Sequence, residues 1–131
     1  MRIGQKVYAV LVALIALFMG ANAAMWALRP GRAAELLRMP LLDGDALSSQ
    51  MDIGAFFFAA SLFAVLGVLT RKSQWLVAGA IMVWGAATYR TIAYLLHDAS
   101  FLGAFVALEV FMGTILILAS RAIAGPSDQN Q

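Results

Sequence analysis

Four apolar stretches, each about as long as a lipid bilayer's hydrocarbon core is thick, constrain this chain more than any other feature. A spanning helix needs roughly 20 consecutive, mostly apolar residues. The runs 7–28, 51–70, 75–96 and 101–120 meet that requirement. They are too long for strands and show no alternation of apolar and polar residues, so they read as helices rather than barrel strands. Composition agrees. The chain is 63% hydrophobic and 12% charged over 131 residues. A soluble domain of that size has too little interior to bury such an excess. The expected fold is all-α: a single membrane domain over 1–131, built as an antiparallel integral-membrane four-helix bundle.

The joints between the runs are legible. Arg29-Pro30-Gly31 should stop the first helix. The outer loop 29–50 is the one sizeable extramembrane piece. Within it, Arg32 to Met39 places Ala33, Leu36 and Leu37 on one face and Arg32, Glu35 and Arg38 elsewhere, a pattern for a short helix in the outer interface. Pro40 should end it, and Asp43-Gly44 reads as a turn. Ser49-Gln50-Met51-Asp52 fits a capping box for the second span. Arg71-Lys72-Ser73-Gln74 forms the inner turn. Gly125-Pro126 should end the fourth helix within a polar tail, 121–131, whose last residues, Ser127 to Gln131, should fray.

Lys and Arg are unevenly shared between the two sides. Arg2, Lys6, Arg71, Lys72 and Arg121 lie on one, and Arg29, Arg32 and Arg38 on the other. The positive-inside bias then puts both termini in the cytoplasm. A rival reading takes Arg2, Lys6, the following apolar run and Ala21-Asn22-Ala23 as a cleavable signal peptide. Against it, Met25-Trp26-Ala27-Leu28 continues the apolar run.

Small residues on the first run, Ala9, Ala13, Ala16, Gly20, Ala23 and Ala27, recur at steps of three and four and form one seam for close helix contact. Ala60, Ala64 and Gly67 on the second run and Gly79, Val83 and Ala86 on the third read the same way. Trp26, Trp75 and Tyr94 stand near helix ends, where amphipathic rings anchor at headgroups. The Phe56-Phe57-Phe58 run should leave at least one ring in lipid, and Trp84, near mid-membrane, reads as core.

Two ionisable residues lie inside the spans, Arg90 and Glu109. Each costs about 2.5 to 3.5 kcal/mol at a helix centre on insertion scales. At a rise of 1.5 Å per residue they lie about 9 Å and about 12 Å below the outer ends of the third and fourth helices. A short turn makes those helices neighbours, so an ion pair in the outer half is expected. Asn22, Asp52, Tyr94 and His97 fall at a similar outer level and are candidates for lining a pocket with the pair. Gly113, one turn inward of Glu109, could admit a neighbour.

Several chemistries are poorly served. There is no Cys, and the one His is His97, so no metal site is expected. No Ser-His-Asp set or phosphate loop is legible, and enzymatic activity is not expected. No basic and aromatic stripe tracks a phosphate backbone, which argues against nucleic acid. No cofactor is expected.

The chain resembles the bacterial domain-of-unknown-function family 4345. The matching features are Arg29-Pro30, Asp52-Ile53-Gly54-Ala55, Arg90 and Leu108-Glu109, and the resemblance spans about residues 8 to 120. The family pattern often has a second Gly where Ala55 stands here. The resemblance implies a four-helix membrane fold in a bacterial inner membrane, with Arg90 and Glu109 as the family's polar pair, and it implies no activity. A looser, architectural similarity connects the chain to DoxX-like membrane subunits. Two functions fit these readings. One is a non-catalytic accessory or assembly subunit of a larger membrane complex, or a homo-oligomer. The other is a small transporter or binding protein for a lipid, quinone or small anion that uses Arg90 and Glu109.

Overall fold

The computed structural model describes residues 2–125, so the expected frayed tail from Ser127 and the role of Pro126 lie outside the described residues. Six helices follow in order: α1 (Ile3–Leu28), α2 (Pro30–Leu36), α3 (Gly44–Gln50), α4 (Asp52–Thr70), α5 (Ser73–His97) and α6 (Gly103–Ile123). Four are long and apolar enough to cross a membrane, α3 and α4 together counting as one across the break at Met51. By length and composition this is a multi-pass membrane protein. Helices suit that solvent because each satisfies its backbone groups internally. Hydroxyls in the spans do likewise: Thr88, Thr91 and Thr114 donate to the carbonyls of Trp84, Ala87 and Val110 in their own helices.

The bundle closes in the order α1, α4, α5, α6, with α6 returning to α1. Each helix turns a stripe spaced by three and four residues to the centre. On α6 the stripe is Glu109, Met112, Gly113, Leu116, Ala119, Ser120 and Ile123. On α5 it is Leu76, Gly79, Ala80, Val83 and Ala87, and Arg90 falls on its next step. On α1 it is Val12, Ile15, Ala16, Met19, Asn22 and Trp26, so Asn22 faces inward. The small-residue seam lies beside this stripe, toward α4. Ala16 and Gly20 meet Ser61 there, whose hydroxyl donates to the Ala16 carbonyl at 2.7 Å. Ala13 and Ala27, at the edges of the seam, are exposed.

Glycines receive large side chains at three of the four helix interfaces. A Cβ on Gly54 of α4 would stand 2.8 Å from the Trp26 Cβ. Gly67 of α4 is covered by Leu76 of α5, and Gly113 of α6 by the Trp84 ring of α5. Trp84 also donates from Nε1 to the Val110 carbonyl at 3.3 Å. Trp26 therefore does not anchor at a headgroup, because it is 0% exposed and fills the space left by Gly54. Trp75 stacks on Phe63 with centroids 5.9 Å apart. Of the three consecutive phenylalanines, Phe57 is buried and Phe58 is exposed.

The connections differ from expectation in three places. The short helix after α1 runs from Pro30 to Leu36 rather than from Arg32 to Met39. Pro30 occupies its first turn, where the missing N–H is harmless. It ends early because Arg38 takes a left-handed conformation (φ 61°), with Arg38 N–H on the Glu35 carbonyl and Met39 N–H on the Ala34 carbonyl. This is a Schellman-type stop made by Arg rather than Gly. Second, residues 44–50 are helical, so Asp43-Gly44 opens α3 instead of making a free-standing turn. Third, the capping box is absent. Ser49 already lies inside α3, and Met51 occupies the cap of α4 with no side-chain cap bond.

At the opposite end, Arg71 (φ 55°) turns the chain from α4 to α5. Its Nε donates to the Ile123 carbonyl at 3.2 Å, and its carbonyl accepts from Gly125 N–H at 2.9 Å, tying the end of α6 to this turn. Close approach at the glycines leads to a test. Gly67→Val should destabilise the detergent-solubilised protein by about 1–3 kcal/mol through overpacking against Leu76. In a Leu76→Ala background the same Gly67→Val change should cost less than it does in the wild type, read by thermal unfolding of all four proteins of the cycle. An equal cost in the two backgrounds would contradict the contact.

Candidate functional site

Arg90 and Glu109 face each other across the α5–α6 interface, with Arg90 Nε donating to Glu109 Oε1 at 2.6 Å. The helical period explains the meeting. Both residues continue the inward stripes of their helices, and the turn at 98–102 sets those helices side by side. The Arg90 side chain keeps 32% of its surface accessible and that of Glu109 11%. The guanidinium also lies 5.1 Å from the Phe105 ring centre, a cation–π contact. Phe105 is one turn before Glu109 on the same face of α6, and that spacing of four was the signal in the sequence that it belongs with the pair.

The pair forms part of the wall of a cleft of about 830 Å³ in the half of the bundle nearer α2. Four helices contribute to it: Asn22 and Met25 from α1, Ile53 and Phe57 from α4, Ala86 from α5, and Met112 from α6. Leu36, Leu37 and Met39 close it from above. Phe18 on α1 and Leu108 on α6 line it and are themselves exposed, so it opens between these two helices toward the lipid-facing surface. Its polar lining side chains are Asn22, Asp52, Arg90 and Glu109.

The structure thus gathers Asn22, Asp52, Arg90 and Glu109 around one space. Asn22 Nδ2 is engaged with the Phe18 carbonyl at 2.9 Å. Asp52 is exposed at the start of α4. Tyr94 and His97 are not among the lining residues. Both lie on the last turns of α5, beyond Arg90 and toward the 98–102 turn. Residues 94–100 are all exposed there, and Tyr94 rests on Phe101 with centroids 5.0 Å apart.

One residue important to the cleft carried no signal in the sequence. Gln50, buried at the end of α3, donates from Nε2 to the Pro40 carbonyl and accepts from Leu42 N–H through Oε1, both at 3.0 Å. This two-point clasp fixes the segment that follows Met39, and so holds the roof in place. Only the fold of the 38–50 segment brings its partners within reach.

Hydrogen bonding within the pair is incomplete. Glu109 Oε2 is buried and has no partner. A buried acceptor left open costs about 1–3 kcal/mol, and more when it is charged. No family model, curated protein or solved structure matches the chain.

The pair's energetics can be measured by a double-mutant cycle. Arg90→Met should cost about 3 kcal/mol or more, because it strands the buried Glu109 carboxylate, and Glu109→Leu should cost less, because the Arg90 side chain keeps 32% of its surface accessible. The double variant should cost less than either single change. Additive losses in unfolding experiments would rule out the coupling.

Proposed function

We propose that this protein resides in a bacterial inner membrane, with both termini in the cytoplasm, and holds a bilayer-dissolved amphiphile of lipid or quinone type in the cleft beneath α2. The observation that carries this reading is a half-satisfied ion pair set in the wall of a mostly apolar cleft, whose other polar side chains are Asn22 and Asp52, and which opens toward lipid. Its volume lies within the ~300–1,000 Å³ usual for small-molecule sites, and such sites are apolar with a few convergent polar groups. Intramembrane ionisable residues at a cavity are functional candidates by default, because they are costly to keep there. The apolar walls favour a molecule with a hydrophobic body over a small anion. Entry between Phe18 and Leu108 would let the ligand come from the bilayer without crossing water. A role as an accessory subunit rests on the small extramembrane mass and on no catalytic constellation being legible in the sequence, and it names no residue.

The protein purified in mild detergent should retain a stoichiometric amphiphile, recovered by organic extraction and identified by mass spectrometry. Ala86→Phe, which fills the cleft, should lose it while keeping a wild-type elution profile. An amphiphile retained equally by both proteins would place it outside the cleft.

Orientation can be tested separately because the chain has no Cys. In intact cells a membrane-impermeant maleimide should label Ser100→Cys. Gln74→Cys should react only after permeabilisation. The reverse pattern would invert the topology.

A further inference from the structure

The hydrogen-bonding capacity left at the polar wall of the cleft narrows the chemistry of the ligand's head. A guanidinium has five donors and no acceptor. Arg90 commits Nε to Glu109 Oε1 and keeps part of its side chain accessible. Glu109 lines the same cleft, is 8% exposed, and has Oε2 open. The terminal carboxylate torsion of Glu is soft, so the carboxylate can turn to present Oε2 to a ligand in the cleft, Oε1 moving with it and the Arg90 fork re-pairing with the turned carboxylate. Unspent donors therefore adjoin an unspent acceptor, and the two charges already neutralise each other. An anionic phosphodiester head would bring a second negative charge against Glu109 and no proton for Oε2. An ammonium head would bring a second positive charge against Arg90, and the other carboxylate of the lining, Asp52, is exposed at the start of α4 and is no part of the buried pair. A neutral head that both donates and accepts matches what is left.

Resting on the reading of the cleft as a ligand site, we propose that the bound amphiphile carries a neutral hydroxyl, of a phenol or an alcohol, at its polar end. Its O–H donates to Glu109 Oε2, and its oxygen accepts from a terminal nitrogen of Arg90. The hydrophobic body lies along Met25, Phe57 and Met112, which line the cleft. A site built around such a hydroxyl rejects the analogue that lacks it, because burial then leaves Oε2 unpaired.

Two matched probe pairs test this on the full chain reconstituted in phosphatidylcholine nanodiscs, with binding read by tryptophan fluorescence. One pair is para-dodecylphenol and para-dodecylanisole. The other is hexadecanol and its methyl ether. They separate a phenolic from an aliphatic source of the hydroxyl. In the wild-type protein the hydroxyl member of at least one pair should bind tenfold or more tightly than its ether, which is about 1.4 kcal/mol. In Glu109→Gln that ratio should fall below about threefold. Tight and equal binding of both members in the wild type would overturn the hydroxyl requirement and leave the cleft reading intact. Binding of none of the four would overturn both. A preference that survives in Glu109→Gln would remove Glu109 as the acceptor. Should that variant fail to fold, the wild-type ratio alone decides the hydroxyl requirement, and its loss in Ala86→Phe places the site in the cleft.

Discussion

Close approach of helix backbones at glycine is the constraint on which the rest of this structure depends. In lipid the hydrophobic drive between helices is weak, and association depends on packing and on a few polar contacts. Three successive interfaces use one device. Trp26 covers Gly54 between α1 and α4, Leu76 covers Gly67 between α4 and α5, and Trp84 covers Gly113 between α5 and α6. The fourth interface, α1 with α6, has no such contact among the described residues. That is where the cleft opens, between Phe18 and Leu108. Tight packing on three sides and its absence on the fourth give the bundle a side with access.

The same geometry explains why a charged pair can exist there. Gly113 lets Trp84 draw α5 onto α6, and this contact lies one turn from Glu109. At that separation the Arg90 and Glu109 side chains meet at 2.6 Å without either having to reach water. Pairing offsets much of the cost of carrying each charge into a dry site, yet it leaves Glu109 Oε2 open. A purely structural pair would be better served by a second donor. An unsatisfied oxygen beside a lipid-facing cleft is the pattern expected where a ligand completes the network, and the proposed function and ligand class are built on that incompleteness.

The roof over the cleft shows how short segments become parts of a site. Helix α2 is only 7 residues long and would not be stable alone. It is held by Pro30 at its start, by the left-handed Arg38 at its end, and by Ala33 and Ala34 buried against the bundle. The following chain is clasped by Gln50. These local bonds place Leu36, Leu37 and Met39 over the polar wall.

The sequence by itself determined the number of spans, their helical state, the break at Arg29-Pro30-Gly31 and the two costly side chains at matched depth. Apolar length, turn chemistry and helical rise are local quantities, and each can be read without knowing what packs on what. It could not determine which side of α1 faces the centre, because Asn22 sits between a small-residue seam and a large-residue stripe. Only the meeting with α4 and α6 decides that. It could not stop α2 at Leu36, because an Arg in the left-handed region has no composition cue. It grouped Tyr94 and His97 with Arg90 by register and level, whereas the structure leaves residues 94–100 exposed and outside the cleft lining. The cleft, its roof and the open oxygen of Glu109 belong to the tertiary structure. They depend on distances between elements far apart in the chain, and those distances were fixed only when the glycines let the helices close.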